Sequence, residues 1–234
     1  MKNLSGILFA TLLAATQAAS AVPLLQNGGF EAGLANWTVT DLADGSGSWF
    51  ASSDTATPLS PNATVGPASG LTYGVSDQTG PGTHALTQAF TVASNASLVM
   101  LTFDMFVNSY ADFIANGGVL DHRGDPAQFA RVDLLAAGAD PFDTGAGVLH
   151  NFYLGVDAVG SVNAYTPYSF DITALVSAGG TYQLRFAETD NQLFLNMGVD
   201  NVGVDAQFAV PEPGSLALVA LGMAGLPLAR RRRR

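Results

Sequence analysis

Acidic side chains are the most abundant reactive groups in the central part of the chain, residues 22–209. Eighteen acids, sixteen of them Asp, stand against three arginines, Arg123, Arg131 and Arg185, so this part carries a net charge of −15. Such a charge repels nucleic acid and anionic lipid, and it suits divalent cations and neutral polymers. We therefore expect no nucleic-acid partner, and we expect most of these acids to keep the surface solvated.

Two of the acids, Asp200 and Glu31, have apolar neighbours that suggest a specific structural or binding role. Asp200 stands in a run of alternating residues that would place it on the same face as Val202 and Val204. A carboxylate on an apolar face must be paired, hydrogen-bonded or bound to a metal ion. Glu31, one of two glutamates between residues 22 and 209, stands beside Phe30. Backbone N–H groups at a strand end would satisfy Asp200 as well as a metal ion would.

The sequence lacks the common catalytic patterns. It has no cysteine, no G-x-S-x-G serine motif and no phosphate-binding glycine loop before a helix. His84, His122 and His150 lack the H-x-x-x-H or H-E-x-x-H spacing of metalloenzymes. We predict that the protein is not an enzyme. A glycoside-active enzyme, which would need two suitably placed carboxylates, is the third-ranked alternative.

Aromatic side chains beside amides and carboxylates are the usual means of binding a sugar. The candidates for a weak ligand contact are four aromatic residues, Trp49, Tyr73, Tyr110 and Tyr165.

Short alternating runs predict that β-strands position these side chains. The run at 99–107 places five apolar residues on one face, and the run at 182–189 alternates in the same way. Turn-forming residues separate such runs, and no long helical periodicity is present. Further strands are predicted at 36–41, 48–52, 85–92, 131–134, 168–172 and 198–208, with a capped helical turn after Asp171 and a long loop at 53–82. The predicted fold class is all-β, a two-sheet antiparallel sandwich.

Two segments of this central part resemble a known fold. They are Asn27-Gly28-Gly29-Phe30-Glu31 followed by Trp37, and Met197-Gly198-Val199-Asp200-Asn201-Val202. Both resemble the opening and closing strands of galactose-binding-like jelly rolls, especially carbohydrate-binding modules of the family 4, 9 and 22 type. The resemblance implies one jelly-roll sandwich over residues 22–209, with its first and last strands close together. It also implies a structural calcium ion, held by Glu31 and Asp200 with backbone carbonyl oxygens.

The beginning of the chain has the three regions of a secretory signal peptide. Lys2 is the only lysine, residues 7–15 are apolar, and Ala19-Ser20-Ala21 has the small-x-small pattern of a cleavage site. We predict a signal helix over residues 1–21, removed after Ala21.

The end of the chain, residues 210–234, has an equally ordered pattern. Pro211, Glu212 and Pro213 precede an uncharged segment at 215–229, which would rise about 22 Å as a helix, against about 30 Å of hydrocarbon in a bilayer. The segment is thus predicted as a short transmembrane helix. The chain ends in Arg230, Arg231, Arg232, Arg233 and Arg234, which should remain cytoplasmic. An apolar run directly before these arginines argues against a nucleic-acid-binding tail.

This order of motif, apolar segment and arginines resembles the PEP-CTERM sorting domain. The resemblance implies recognition by an exosortase, a membrane protease-transpeptidase of Gram-negative bacteria that make exopolysaccharide. It implies a transient stay in the inner membrane, processing near Pro211 to Pro213, and delivery to the cell surface or extracellular matrix. We therefore predict an exported protein that associates with exopolysaccharide through a non-catalytic sandwich. A structural or adhesive biofilm protein acting through protein–protein contacts is the alternative.

Overall fold

The computed structural model describes residues 20–208, which form a β-sandwich. Its strands are β1 (Val22–Pro23), β2 (Thr38–Asp41), β3 (Ser48–Ser52), β4 (Tyr73–Asp77), β5 (Gly82–Val92), β6 (Ala96–Ser109), β7 (Gln128–Ala136), β8 (Val148–Gly155), β9 (Thr166–Asp171), β10 (Gly180–Asp190) and β11 (Leu195–Phe208), and one 3-10 turn covers Asn116–Gly118. The first sheet has the order β3-β4-β11-β6-β9 with β1 beside β11, and the second has the order β2-β5-β10-β7-β8. All pairs are antiparallel. The predicted all-β jelly-roll sandwich is confirmed.

The predicted signal helix and the predicted transmembrane segment lie outside the described residues. Within residues 20–208, the structure contains no helix with the length and apolar character needed to cross a membrane.

Alternation of apolar residues builds the core between the two sheets. The odd-numbered residues of β6 from Val99 to Val107 are all buried there, as predicted. On the facing sheet, Leu184 and Phe186 of β10 project into the same core. The rings of Phe103 and Phe186 meet edge to face at 5.3 Å and so join the sheets directly. The turn after Asp171 is also present, since the Asp171 carboxylate accepts the Thr173 N–H at 2.9 Å.

Three strands differ from the sequence-based expectation. The predicted loop at 53–82 contains β4, and neither the two-residue β1 nor β8 was predicted. Every residue of β4 is buried because one face meets the core and the other lies under the preceding loop. Burial of both faces removes the alternation of apolar and polar residues by which strands are recognised. β8 is a largely exposed edge strand whose register with β7 shifts twice.

The first and last parts of the domain are joined, as the jelly-roll resemblance implied. β1 pairs with β11 through Val22 and Ala206. The Val202 N–H donates to the Gly28 carbonyl at 3.0 Å. A Cβ atom on Gly28 would lie 1.8 Å from the Val202 carbonyl oxygen, so only glycine permits this approach.

The outer face of the second sheet carries a buried charge triad. Asp133 accepts bonds from Arg131 and Arg185, with N–O distances of 2.6–3.1 Å. Arg185 and Asp133 are fully buried, and Arg131 is nearly so. The loop at 137–147 covers Arg185, whose Nη1 donates to the carbonyls of Pro141 and Asp143, both at 2.7 Å. The triad therefore ties this loop to the sheet.

Candidate functional site

A cleft of about 500 Å³ opens at one end of the sandwich. Three segments form its walls, at residues 59–62, 78–81 and 190–194. The apolar side chains of Leu193 and Phe194 stand among the polar side chains of Ser60, Asn62, Asn191 and Gln192. A mixture of apolar surface and convergent amide and hydroxyl groups is typical of ligand sites.

Two anchoring side chains hold the walls of this cleft in place. Asp77, buried on β4, accepts the N–H groups of Leu59 and Ser60 at 2.5 and 2.9 Å. Asn191 accepts the Ala127 N–H at 3.0 Å and donates to the His122 carbonyl at 3.0 Å. These bonds preorganise the segments 59–62 and 190–194, which reduces the entropy cost of binding a ligand.

Polar side chains continue from the cleft into the interior between the sheets. On β10 the inward positions after Phe186 are Glu188 and Asp190. Gln128 is the cross-strand neighbour of Asp190 on β7, and Gln78 reaches in from the facing sheet, where its Nε2 donates to the Leu195 carbonyl and to Glu188 Oε2 at 2.5 and 3.4 Å. We call Glu188, Asp190, Gln78 and Gln128 the inner polar layer. Gln78 and Asp190 also line the cleft, so the layer is its inner wall.

The two carboxyl groups of the inner polar layer have unusual electrostatics. Burial raises the pKa of Asp190 to about 7, although bonds from Gln78 and the Gly82 N–H oppose the shift. Burial, reinforced by Asp190, raises the pKa of Glu188 well above its ordinary value. Neither residue was predicted as part of a site. A signal was present, because the inward positions Tyr182, Leu184 and Phe186 are followed on the same face by two acids.

The predicted calcium ligands Glu31 and Asp200 bind backbone amides instead of facing each other across an open site. Asp200 Oδ2 accepts the N–H groups of Ala68 and Ser69 at 2.9 and 3.0 Å, and Oδ1 accepts the Asn201 N–H at 2.7 Å. Glu31 Oε1 accepts the N–H groups of Leu71 and Thr72 at 2.8 and 3.2 Å. Both acids thus hold the segment 68–72 by accepting from N–H donors, which cannot ligate a cation.

This donor set does not fit the calcium site that the resemblance implies. Within residues 20–208, no group of three or more His, Cys, Asp or Glu side chains is arranged to hold a metal ion. Calcium binding by Glu31 and Asp200 remains a prediction.

A bulge in β11 corrects the expected orientation of Asp200. The register with β6 shifts between Asp200 and Gly203, and Asn201 has a φ of 51°. Asp200 pairs with Asp104 on the outer face of its sheet, whereas Val202 points into the core. Simple alternation placed the two on one face, and the extra residue of the bulge separates them. Burial, with a contribution from Asp104, raises the pKa of Asp200.

The four candidate aromatic residues have different environments. Trp49 is 3% exposed and Tyr73 is fully buried. Buried rings cannot stack on a sugar, which corrects the expectation for these two residues. Tyr165 is half-buried and donates to the Gly66 carbonyl at 2.9 Å. Tyr110 is 48% exposed, and its ring lies 5.4 Å from that of Phe194 in the cleft wall. Of the four, Tyr110 adjoins the cleft.

The tail outside the described residues matches a known sorting motif. Residues 209–234 match the family model described as the PEP-CTERM protein-sorting motif. The chain carries a PEP-CTERM sorting motif. The motif indicates an exported protein that is directed to the cell surface and has an exosortase as its processing partner. The match includes Pro211, Glu212, Pro213 and the five terminal arginines predicted for this role.

Comparison with solved structures finds a carbohydrate-binding module, an adhesin domain and a cyclase among the similar chains. TmCBM61 in complex with β-1,4-galactotriose is 11% identical, with a TM-score of 0.47 over 78% of this chain and 97% of that one. The K3 cleaved adhesin domain of Lys-gingipain from Porphyromonas gingivalis W83 is 14% identical, with a TM-score of 0.48 over 79% and 98%. A cyclase from Fischerella sp. TAU is 18% identical, with a TM-score of 0.48 over 82% and 100%. Among curated proteins, no sequence matches this chain significantly.

Proposed function

We propose that this exported protein associates with exopolysaccharide through the cleft at 59–62, 78–81 and 190–194, without catalysis. The observation that carries the proposal is the composition of the cleft, in which Phe194 and Leu193 adjoin amide and hydroxyl groups on preorganised loops. Tyr110 extends the apolar surface at its edge. A sugar ring offers the matching chemistry, with apolar C–H faces and hydroxyl groups around its rim.

The charge of the domain favours a neutral polymer. The net charge of −15 over residues 22–209 would repel a polyanion. A polymer in the cleft would reach Asp190, which lines it, but not Glu188, which is fully buried. Glycoside hydrolysis requires two carboxyl groups that both reach the scissile bond. The position of Asp190 and Glu188 therefore supports binding rather than cleavage.

Affinity electrophoresis tests this proposal. The full chain is run through gels that contain exopolysaccharide isolated from the source strain, and retardation is measured. We expect Tyr110→Ala and Gln192→Ala to reduce the retardation at least fivefold. Leu71→Ala is the control, because Leu71 is 75% exposed and lies outside the cleft. Equal retardation of all variants would exclude the cleft, and no retardation of the wild type would favour the protein–protein adhesive alternative.

We also propose the course of sorting in a Gram-negative host. The segment 215–229 holds the chain in the inner membrane, with Arg230–234 in the cytoplasm, until an exosortase cleaves near Pro211 to Pro213. The short apolar length and the adjoining positive charges support this orientation. In a strain without exosortase, the chain should accumulate in the inner-membrane fraction, while a chain truncated before residue 209 should not. Identical fractionation of the full chain with and without exosortase would contradict the proposal.

A further inference from the structure

The carboxyl groups of Glu188 and Asp190 lie in the interior without a counter-charge. Their exposed fractions are 0% and 4%. Among residues 20–208, none of the ion pairs includes either residue. The nearest cross-strand base, His84, is already bound to Asp41 Oδ1 at 2.7 Å and the Ser46 carbonyl at 2.9 Å. Buried acids that keep their charge need a cation or a full set of donors.

The same layer has an excess of oxygen acceptors. Gln78 Oε1, Gln128 Oε1 and Glu188 Oε1 are buried and have no hydrogen-bond partner within the described part of the chain. The amide nitrogens of both glutamines are already used, Gln78 on Leu195 and Gln128 on Ser109 Oγ at 2.9 Å. Buried polar atoms are nearly always satisfied, so two free amide oxygens beside two carboxyl groups, one of which also has a free oxygen, suit a positively charged partner.

We propose that the inner polar layer binds a divalent cation of the oxygen-preferring class, such as Ca²⁺. The ligands are the carboxylates of Glu188 and Asp190 and the carboxamide oxygens of Gln78 and Gln128. Oxygen-only sets of carboxylates, amide carbonyls and water are the ligands that calcium takes in proteins. The cleft gives the ion access, because Gln78 and Asp190 line it, and it can supply water as the remaining ligands.

This site is separate from the Glu31 and Asp200 pair and does not depend on sugar binding. At Glu31 and Asp200 the acceptor oxygens already receive five N–H bonds. In the inner polar layer, by contrast, the acceptor oxygens receive too few hydrogen bonds. The two sites can therefore be told apart by substitution. If calcium binds in the inner polar layer, substitutions there remove the response to calcium and substitutions of Glu31 or Asp200 do not.

Calorimetric titration of the full chain with CaCl2, after treatment with a chelator, tests the proposal. We expect saturable binding to the wild type and a calcium-dependent rise in melting temperature. Glu188→Gln and Asp190→Asn should weaken binding at least tenfold, and Asp200→Asn should not. In chelator, Glu188→Gln should melt no lower than the wild type, because the substitution removes a buried carboxyl group that has no counter-charge and one oxygen without a hydrogen bond. Absence of any response of the wild type to Ca²⁺, Mg²⁺ and Mn²⁺ would overturn the proposal.

A second measurement avoids substitutions that fail to fold. Crystals of the wild-type chain grown with MnCl2 should give an anomalous scattering peak between Glu188 and Asp190. A peak found solely at Glu31 and Asp200, or a calcium response lost in Asp200→Asn and kept in Glu188→Gln, would refute the site.

Discussion

Replacing Asp133 by Asn should be among the most destabilising single changes in the domain. The Asp133 carboxylate accepts five hydrogen bonds, four from Arg131 and Arg185 and one from Asn151. Burial already lowers the pKa of Arg185, and the charge of Asp133 is the main influence that opposes it. Asp133→Asn keeps the shape but leaves two buried guanidinium groups without an anion.

The expected loss follows from the burial of all three groups. Breaking a buried ion pair by removing one partner costs about 3–5 kcal/mol. Because one anion serves two cations here, we expect a value near the upper end, about 5 kcal/mol. A folded domain is stable by about 5–15 kcal/mol in total, so the variant would be marginally folded.

Urea unfolding, followed by the fluorescence of the buried Trp37 and Trp49, measures this loss. With a urea dependence of about 2 kcal/mol per molar, the midpoint should fall by about 2.5 M. The matched control is Asp121→Asn, which breaks the exposed pair with Arg123. Solvent screens that pair, and its midpoint should not change measurably. A loss below about 1 kcal/mol for Asp133→Asn would show that the triad is not held as described.

Three further substitutions test other parts of the structure. Asp200→Ala should cost about 2 kcal/mol, because it leaves amides without an acceptor, and melting curves should show the same loss in calcium and in chelator. A loss seen only in calcium would restore the metal role of Asp200. Trp49→Ala should cost about 3–5 kcal/mol through the cavity it leaves, whereas Tyr110→Ala should leave the urea midpoint unchanged. Gly28→Ala should cost about 2 kcal/mol or more, because its Cβ meets the Val202 carbonyl, and Gly124→Ala, which has open space, should cost little.

The strands that sequence reasoning located are those with one face in the core. β6 and β10 alternate clearly because solvent or polar groups oppose their apolar face. β4 was missed because the preceding loop buries its second face. The loop residues that contact β4 do not follow a sequence pattern from which their position could be predicted. The alternation of apolar and polar residues therefore identifies a strand only where one face is buried in the core and the other is exposed or polar.

The candidate site was less predictable than the fold for two physical reasons. The face of Asp200 depends on a bulge, and one extra residue reverses every later position in the strand. The inner polar layer joins residues far apart in sequence, since Gln78 and Glu188 are 110 positions apart. The two acids after Phe186 could be recognised on the core face from sequence alone, but their carboxamide neighbours follow only from the packing of the two sheets.

The path of β11 through the domain has a mechanical consequence. The strand begins directly after the cleft wall at 190–194 and ends at Phe208, immediately before the sorting motif, a run of about 45 Å. A polymer held by the cleft segments 59–62 and 78–81 and an anchor on the tail would pull β11 lengthwise past its neighbouring strands. This pull would load the ladder between β11 and β6 in shear, where many hydrogen bonds resist together. Tension on the N-terminus would instead peel the two-residue β1 away one bond at a time. Single-molecule pulling should therefore record a higher rupture force from cleft to tail than between the two ends of the domain, and equal forces would contradict this load path.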